Sequence, residues 1–467
     1  MEPSGSTATA SFKSESYDNV FSPSRTVKVL FFQRGMLTPW PIIVVTGANG
    51  GIGFGICQRL LYQLSESSPP DANLPVEQKL SLTGDTDDGI QTPCQGLTLI
   101  LACRSKKRAE AAMEKLFTLL DEHIEKLKKR KGYDGHAEVF RKNLRLKFHE
   151  LDLGMLSTVS KFSNELKENY PYVSHLICNA GVATFHRINW WRCAKQLLSS
   201  PLGAVTHPMF YSETWGEVSI DCYGWVWQCN TFGHYFLFRE LEPLLLSPRC
   251  PMTSRVIWTS SLKAWRDYTS DDWQLKLSKA PYNASKYQTE LIATLFDHRE
   301  LRKAPSEKRT RHFISHPGVC HTNIDLNLIP PILHYLKWVV FHLARLLGSP
   351  NHPISFEKGA LSGVWLTIVS LASISVLLSR GENKATAGNG RCNFTNGHSK
   401  HELDDRPPAK IGSCCDRWGN PIIGVFPIEG WDVQEAERLV EKFEETYLKE
   451  KEHQRWQPAP ETATEKM

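Results

Sequence analysis

Residues Pro41-Ile-Ile-Val-Val-Thr46, followed directly by Gly47-Ala-Asn-Gly-Gly-Ile-Gly53, predict a strand, a tight turn and the start of a helix. Glycines at such a turn let the backbone approach a pyrophosphate, which the N-terminus of the helix stabilises. A glycine cluster alone also fits a plain turn, and only the flanking strand and helix favour dinucleotide binding. We expect the cofactor contacts of this turn at Thr46, Gly47, Asn49, Gly51, Ile52 and Gly53.

Outward from this turn, strands and helices alternate along the chain. Apolar runs predict further strands at 97–103, 146–151, 174–178, 255–259, 312–315 and 422–426. The alternation predicts a parallel sheet with helices on both faces. We therefore expect a Rossmann-type, doubly wound α/β fold of about seven strands, with loop insertions and a C-terminal extension.

Polar stretches interrupt this pattern and predict the domain organisation. We expect residues 1–35 to be a disordered extension and residues 36–380 to be the nucleotide-binding domain, with a surface insertion at 65–96. We expect residues 381–412 to be a flexible loop, and residues 413–467 to add a strand and a helix to the same domain.

Bulk composition narrows the class of protein. The chain has 467 residues, of which 41% are hydrophobic and 22% charged, as is typical of a globular protein. The net charge of +5 is spread along the sequence, so no nucleic-acid partner is predicted. The N-terminus lacks the pattern of a secretory signal, and the twelve cysteines form no CxxC pair, which favours a reducing compartment. No metal site is predicted.

Two apolar stretches, 326–347 and 360–378, raise the question of a membrane. The second is just long enough to span a bilayer, but it contains several Ser and Thr residues, and we favour a buried helix beside the sheet. The first mixes His, Lys and Arg with Trp, Val and Leu, which predicts a monotopic contact with a membrane surface.

Arg104 follows the second predicted strand, where NAD-preferring folds place an acidic residue that bonds the ribose 2′-hydroxyl. A guanidinium at this position pairs instead with a 2′-phosphate, so Arg104 favours NADPH/NADP+ over NADH. The alternative is that Arg104 only begins a solvated helix. Asp152 and Leu153, after the third strand, suit the adenine edge, although Asp is also a common helix N-cap.

Further motifs resemble the short-chain dehydrogenase/reductase family in order and spacing, over residues 42–323. They are Cys178-Asn-Ala-Gly181, Thr259-Ser-Ser261 and Tyr282-Asn-Ala-Ser-Lys286. The resemblance implies a catalytic set of Ser261, Tyr282, Lys286 and Asn230. It also implies cofactor contacts at Asn179, Ala180, Gly181, Tyr282, Lys286, Pro317, Gly318 and Thr322.

The spacing of Tyr282 and Lys286 explains their expected chemistry. They are four residues apart on one helix face, so we expect the ammonium to lower the pKa of the phenol toward the working range. Ser261 would hold the substrate carbonyl, and Asn230 would position a proton-relaying water. Tyr-x-x-x-Lys alone is a common pair on helix surfaces, and only its occurrence together with the glycine turn favours a catalytic role. The long segment after Ser261 predicts that residues 265–280 form part of the substrate mouth.

Longer strings resemble the sterol 3-ketone reductases of fungal ergosterol biosynthesis. These strings are Trp258-Thr-Ser-Ser-Leu262, Ala344-Arg-Leu-Leu-Gly-Ser-Pro350 and Arg417-Trp-Gly419. The resemblance implies NADPH-dependent reduction of a zymosterone-like 3-ketone during sterol C-4 demethylation, at the endoplasmic reticulum membrane and lipid droplets. The implied partners are the C-4 methyl oxidase, the C-3 dehydrogenase/decarboxylase, a scaffold protein and the oxidosqualene cyclase.

Two alternatives stay open at this point. One is a reductase of retinoid, fatty or xenobiotic carbonyls on the same scaffold, and the other is a non-catalytic scaffold for sterol-pathway enzymes. The aromatic segments 183–227 and 326–347 are expected to line a large apolar slot and to rest on a membrane surface. Core packing explains the same aromatic residues nearly as well.

Overall fold

A mostly parallel sheet runs through the centre of the protein in the computed structural model, which describes residues 40–73, 89–304, 306–321, 328, 331–385 and 408–456. These described residues belong to one compact unit. Within the described residues the strands are β1 (Ile42–Thr46), β2 (Leu97–Cys103), β3 (Leu144–Glu150), β4 (His175–Cys178), β5 (Phe185–Ile188), β6 (Tyr211–Glu213), β7 (Ser254–Thr259), β8 (Thr310–His316), β9 (Ala409–Cys415) and β10 (Pro421–Pro427).

The order of the strands is that of a doubly wound sheet. Eight strands follow one another as β10-β9-β8-β7-β4-β1-β2-β3, and β5 and β6 form a separate hairpin. All neighbours in the large sheet are parallel except β9 and β10. The order reverses beside β1, and ligands of such sheets bind at the carboxyl ends of the strands next to this reversal.

Helices cover both faces of the sheet. They are α1 (Gly51–Leu64), α2 (Lys106–Lys128), α3 (His136–Asn143), α4 (Leu156–Asn169), α5 (Trp190–Ser199), α6 (Pro201–Thr206), α7 (Trp225–Trp227), α8 (Gly233–Leu245), α9 (Pro281–Leu301), α10 (Pro331–Leu346), α11 (Phe356–Gly359), α12 (Leu361–Ile368), α13 (Leu371–Ala385) and α14 (Val433–Trp456). A π-helical turn, Gln228–Phe232, joins α7 to α8.

Alternate side chains of β1 pack into two separate hydrophobic cores, one on each face of the sheet. Ile42 and Val44 pack with α4, α8, α9 and α14, whereas Ile43 and Val45 pack with α1, α2 and α12. All of β1 is buried, which explains why its sequence is a continuous β-branched run. In the first core the ring of Trp227 stacks 5.0 Å from that of Phe443, so the C-terminal helix belongs to the domain.

The prediction of about seven strands omitted β9. Its sequence, Ala-Lys-Ile-Gly-Ser-Cys-Cys, lacks a strong strand pattern, yet it is buried between β8 and β10. Ser413 is accommodated there because its hydroxyl bonds the carbonyl oxygen of Gly359 and the hydroxyl of Ser362. The predicted loop at 381–412 therefore overlaps the end of α13 and the start of β9, and its residues 386–407 lie outside the described residues.

The predicted insertion at 65–96 is anchored at both of its described ends. Arg59 of α1 forms a buried ion pair with Asp71 at 2.6 Å, and Ile90 and Cys94 are buried. These ends pack despite their polar sequence because each charged group finds a partner. Residues 74–88 of the insertion, and the predicted extension 1–35, lie outside the described residues.

The apolar stretch 360–378 is divided between two helices, α12 and α13. Every residue of α12 is buried, as the favoured interpretation of this stretch requires. Among the described residues, no helix combines the length and the apolar character needed to cross a membrane.

Candidate active site

A cavity of about 690 Å³ lies at the carboxyl ends of the parallel strands. Residues that directly follow β1, β2, β3, β4, β7 and β8 line one side of it. These residues include Gly47, Arg104, Asp152, Asn179, Ser260, Ser261 and Pro317. The sheet topology thus brings together motifs that are up to 270 positions apart in the sequence.

The glycine turn forms one wall of the cavity. The predicted contacts Gly47, Asn49, Gly51 and Ile52 all face it, together with Gly50 and with Ala180 and Gly181. Thr46 and Gly53 lie behind this wall. The Thr46 hydroxyl accepts hydrogen bonds from the backbone N–H groups of Asn179 and Ala180, at 2.8 and 2.9 Å. A Cβ on Gly53 would lie 2.3 Å from the carbonyl oxygen of Gly47, so glycine is required for the helix to approach the turn.

This wall fits a dinucleotide pyrophosphate. Gly51 has φ +53°, and a Cβ on Gly50 or Gly51 would have no neighbour within 4 Å, so the backbone of the turn is open to a ligand. The N-terminus of α1 begins at Gly51, and its unpaired N–H groups favour an anion at this position.

Two arginines stand at the adenine end. Arg104 and Arg108 both line the cavity, and the Arg104 guanidinium lies 4.0 Å from a carboxylate oxygen of Asp152. Asp152 and Leu153 line the same region, as predicted from their position after β3. The sequence analysis missed Arg108, although the run Arg104-Ser-Lys-Lys-Arg108 places a second guanidinium one helical turn further on. Two cations fit a 2′-phosphate better than a ribose hydroxyl.

The reactive side chains meet in the middle of the cavity, where Ser261, Tyr282 and Lys286 all line its wall. The Ser261 hydroxyl lies near enough to the Tyr282 phenol to lower the pKa of that phenol. The Lys286 ammonium lies 5.9 Å from the centre of the Tyr282 ring and donates to the Thr259 carbonyl oxygen at 2.8 Å. Helix α9 begins with Pro281, whose fixed φ suits a first turn, and this places Tyr282 at the cavity.

The pKa of Tyr282 is shifted in the direction opposite to the one predicted. Burial raises this pKa, the nearby Ser261 hydroxyl opposes the rise, and the Glu213 charge adds to it. The expected lowering by Lys286 is absent because the ammonium points to the carbonyl of Thr259. Burial also lowers the pKa of Lys286, to about 8, against the raising effect of Glu290. A raised pKa keeps the Tyr282 phenol protonated at neutral pH, which is the form that donates a proton.

Asn230 lies in the π-helical turn, behind the cavity wall. Its side-chain oxygen accepts from the N–H of Val182 at 2.7 Å, and its amide donates to the carbonyl oxygen of Val182 and the hydroxyl of Ser285. The side chain thus fixes the loop after β4 to helix α9. The water-positioning role of Asn230 stays a prediction.

The loop after β8 closes the nicotinamide end of the cavity. Pro317 and Gly318 line it, as predicted, and Gly318 has φ +69°. A Cβ on Gly318 would lie 2.7 Å from the carbonyl oxygen of Ser413, so β9 holds this loop in place. Thr322 lies outside the described residues.

The remaining wall of the cavity carries aromatic and apolar side chains together with those of Thr206 and Lys337. It is built from the β5–β6 hairpin, from α6 and from α10, whose lining residues are Phe185, Tyr211, Val205, Thr206, Lys337 and Phe341. Residues from both predicted segments, 183–227 and 326–347, therefore line the cavity. The prediction for residues 265–280 was wrong, because that segment turns away and the Tyr268 hydroxyl bonds Glu435 of α14 at 2.9 Å.

Glu213 is a buried carboxyl group that the sequence analysis missed. Its side chain accepts a hydrogen bond from the backbone N–H of Tyr282 at 2.8 Å and so caps the catalytic helix. Burial raises the pKa of Glu213 to about 7, against the lowering effects of this hydrogen bond and of Lys263. One feature of the sequence could have drawn attention to Glu213. It is the first acidic residue after Glu168, in a segment otherwise without Asp or Glu.

Curated proteins with similar sequences share the activity of 3-keto-steroid reductase in their names. The chain is 29% identical to the 3-keto-steroid reductase of Schizosaccharomyces pombe over 329 residues, which cover 70% of this chain and 81% of that protein. It is 29% identical to the 3-keto-steroid reductase of Aspergillus fumigatus, with 83% of this chain and 82% of that protein covered. It is 27% identical to the human 3-keto-steroid reductase/17-beta-hydroxysteroid dehydrogenase 7, with 75% and 85% covered.

Comparison with models of protein families gives no match. Among solved structures, the chain is similar to salutaridine reductase from Papaver somniferum, with 17% identity, a TM-score of 0.40, and coverage of 70% of this chain and 95% of that one.

Proposed function

We propose that the chain is a short-chain dehydrogenase/reductase that reduces the 3-ketone of a sterol to the 3β-hydroxysterol with NADPH. One observation carries the proposal. A single cavity is lined at one end by the glycine turn and two arginines, in the middle by Ser261, Tyr282 and Lys286, and along the remaining wall by aromatic side chains.

The catalytic side chains have distinct tasks in this reaction. When bound, NADPH supplies the hydride that reduces the carbonyl carbon. The Ser261 oxygen accepts the N–H of Lys263 at 3.1 Å, which leaves its hydroxyl proton for the substrate carbonyl oxygen. The Tyr282 hydroxyl donates its proton to the same oxygen as negative charge develops on it. Lys286, with a pKa of about 8, would hold the ribose hydroxyls and support the proton transfer electrostatically.

The arginine pair supports NADPH over NADH. Arg104 is 54% exposed and lies beside the cavity with Arg108, so both guanidinium groups are free to turn toward a phosphate at the ribose 2′ position. Asp152 lies 4.0 Å from Arg104 and keeps that guanidinium over the adenine end.

The names of the relatives and the aromatic wall support a sterol as the substrate. Sterols are rigid and apolar, with one oxygen function at the ring end that reacts. The cavity is lined by Ser261, Tyr282 and Lys286 together with the aromatic side chains of Phe185, Tyr211 and Phe341, and the Phe185 ring lies 5.9 Å from that of Tyr282. Such a lining suits an apolar molecule with one reactive oxygen.

A lipid surface at the entrance would supply this substrate. Helix α5 lies beside α6, and none of its ten described residues is buried. Its large apolar side chains face outward, with Trp191 79% and Leu198 87% exposed. Helix α10 also packs beside α6 and lines the cavity. We define the apolar collar as the exposed side chains of α5, α6 and α10, namely Trp190, Trp191, Leu197, Leu198, Leu202, Ile332, Tyr335, Leu336, Trp338, Val339, Leu343 and Leu346.

The charges of the collar suit anionic lipid headgroups. The segment from Phe185 to Ser212 and helix α10 contain no Asp or Glu, whereas they carry Arg187, Arg192, Lys195, Lys337 and Arg345. Aromatic side chains with flanking cations are typical of surfaces that lie in the membrane interface. This supports the predicted monotopic contact of residues 326–347 and extends it to α5.

The proposed lipid contact is tested by co-sedimentation with phosphatidylcholine vesicles, with and without phosphatidylserine. We expect the protein to bind the anionic vesicles, and the Trp191→Ala/Leu198→Ala variant to lose most of this binding. Leu448→Ala, on the exposed face of α14, is the matched control and should bind as the wild type does. Equal binding by all three proteins would refute the collar as the contact surface.

We propose the endoplasmic reticulum and lipid droplets as the location, and the enzymes of sterol C-4 demethylation and the oxidosqualene cyclase as partners. These proposals rest on the family resemblance. Co-purification of the full chain from its own membranes, followed by mass spectrometry, tests them. Recovery of none of these enzymes with the tagged protein would overturn the partner set.

Turnover of defined carbonyls tests the proposed reaction. We expect purified protein with NADPH to reduce a 3-keto sterol faster than retinal or simple quinones, and a strain that lacks the protein to accumulate 3-keto intermediates. High quinone or retinal activity without sterol activity would favour the alternative reductase. If the strain that lacks the protein lost the assembly of the sterol-pathway enzymes but kept sterol reduction, the scaffold role would be favoured.

A further inference from the structure

An ion pair without a role in the mechanism above lies behind the catalytic serine. The Lys410 ammonium of β9 donates to the Glu290 carboxylate of α9 at 2.6 Å. The two side chains are only 8% and 1% exposed. A pair this deeply buried is costly, since the desolvation of both charges offsets much of their attraction, and apolar residues of similar volume are often as stable.

Both members of the pair hold the turn that carries Ser261. The Glu290 carboxylate accepts a hydrogen bond from the Ser260 hydroxyl, and the Lys410 ammonium donates to the Ser261 carbonyl oxygen at 3.1 Å. The backbone N–H of Ser260 donates to the carbonyl oxygen of Ser315, at the end of β8. The pair thus fixes the Ser260 side chain and the Ser261 carbonyl group. The backbone hydrogen bonds between the strands do not hold these two groups.

The pair also bears on Lys286, one helical turn before Glu290. The Glu290 charge favours the ammonium form of Lys286. Lys410 is the nearest counter-charge to Glu290, so it limits how strongly that carboxylate acts on Lys286. Ser261 and Lys286 are therefore both sensitive to Lys410, which lies 124 positions beyond Lys286 in a strand without a family motif.

We propose that Lys410 and Glu290 are positioning residues, which aim the Ser261 hydroxyl at the substrate carbonyl and set the charge felt by Lys286. Strand β9 therefore contributes to the active site as well as to the sheet. This inference rests on the proposed reductase function, but not on the identity of the carbonyl substrate.

Three variants separate positioning from a merely structural role. They are Lys410→Met, Glu290→Gln and the double variant that carries both changes. Lys410→Met leaves Glu290 buried without its cation and should lower both the melting temperature and kcat. The double variant has no unpaired charge, so we expect it to recover most of the melting temperature. Its kcat should stay about 10- to 100-fold below that of the wild type, with the KM for NADPH within about twofold, since small displacements of a catalytic group have effects of this size.

Arg311→Met is the matched control. Arg311 of β8 pairs with Asp297 of α9 at 2.7 Å, so the control breaks an ion pair between the same helix and a neighbouring strand, away from the cavity. We expect it to lower the melting temperature while kcat stays within about twofold of the wild type. Lys410→Arg should restore kcat in part, because it keeps the charge at this position.

A second measurement does not depend on turnover. Hydrogen exchange followed by mass spectrometry should show faster exchange at residues 259–263 in the double variant, with unchanged exchange in the rest of β7. A double variant that recovers kcat along with its melting temperature would overturn the proposal, as would unchanged exchange at 259–263. If the wild type reduced other carbonyls but not sterols, only the proposed substrate would be refuted. The kcat values of the variants would then be compared on a carbonyl that the wild type does reduce.

Discussion

Replacing Glu213 by glutamine removes a buried charge from the start of the catalytic helix, and its effect on stability has a defined sign. The pKa of this carboxyl is about 7 in the folded protein, against an ordinary value of 4.5. The folded protein therefore keeps a proton over a pH range in which the unfolded chain has released it. The resulting stabilisation is fully present below pH 4.5 and is lost as the pH rises to about 7.

The shift corresponds to about 3 kcal/mol. Glutamine keeps an oxygen that can accept the N–H of Tyr282 but does not titrate. We therefore expect the difference in unfolding free energy between the wild type and Glu213→Gln to change by about 3 kcal/mol between about pH 4.5 and about pH 8, in favour of the variant at the alkaline end.

Urea unfolding, followed by tryptophan fluorescence at several pH values, measures this difference. Glu217→Gln, an exposed position in the same segment, is the control and should give a curve parallel to that of the wild type. The alkaline limb of the pH–rate profile should also move to lower pH in Glu213→Gln, because the Glu213 charge raises the pKa of Tyr282. Parallel stability curves for the wild type and Glu213→Gln would refute the assignment of a buried, titrating carboxyl.

Three further experiments test other parts of the site and the core. Gly53→Ala should lower the unfolding free energy by about 1–3 kcal/mol, because its Cβ would meet the turn carbonyl, whereas Gly50→Ala, with open space around it, should change it by less than about 0.5 kcal/mol. Removing both Arg104 and Arg108 should reduce the preference for NADPH over NADH, measured as the ratio of kcat/KM values, by about 10- to 100-fold, and an unchanged ratio would show that neither binds the 2′-phosphate. Phe443→Ala, in the core under the C-terminal helix, should cost about 3–5 kcal/mol in urea unfolding, and a loss below about 1 kcal/mol would contradict the packing described.

Much of the sheet could be predicted because its strands are buried on both faces. Strands β1 and β2 are nearly continuous apolar runs, β7 has the apolar centre Val256-Ile-Trp258, and the structure places all three within one residue of the predicted bounds. Strand β9 could not be predicted in this way, since its place depends on β8 and β10, which lie on either side of it, and on partners for its polar groups. Its lysine and serine looked like loop residues until Glu290 and Gly359 supplied those partners.

The site divides in the same way. Residues in local motifs line the cavity as predicted, Gly47 from its place between a strand and a helix and Tyr282 from the family resemblance. Glu213 and Lys410 were missed because each reaches the catalytic turn or helix from a distant segment, and no short pattern encodes that approach. The direction of the Tyr282 pKa shift was wrong for a related reason, since the orientation of a lysine ammonium depends on a carbonyl that only the folded chain places beside it.

The account depends most directly on Tyr282 as the proton donor. The decisive measurement is a single-turnover reduction of a 3-keto sterol by the NADPH complex of the wild type and of Tyr282→Phe, with NADPH binding measured by fluorescence on the same samples. We predict that the variant binds NADPH within about threefold of the wild type but reduces the ketone about 10²- to 10⁴-fold more slowly. An equal rate of reduction in the variant, at equal NADPH occupancy, would contradict the account.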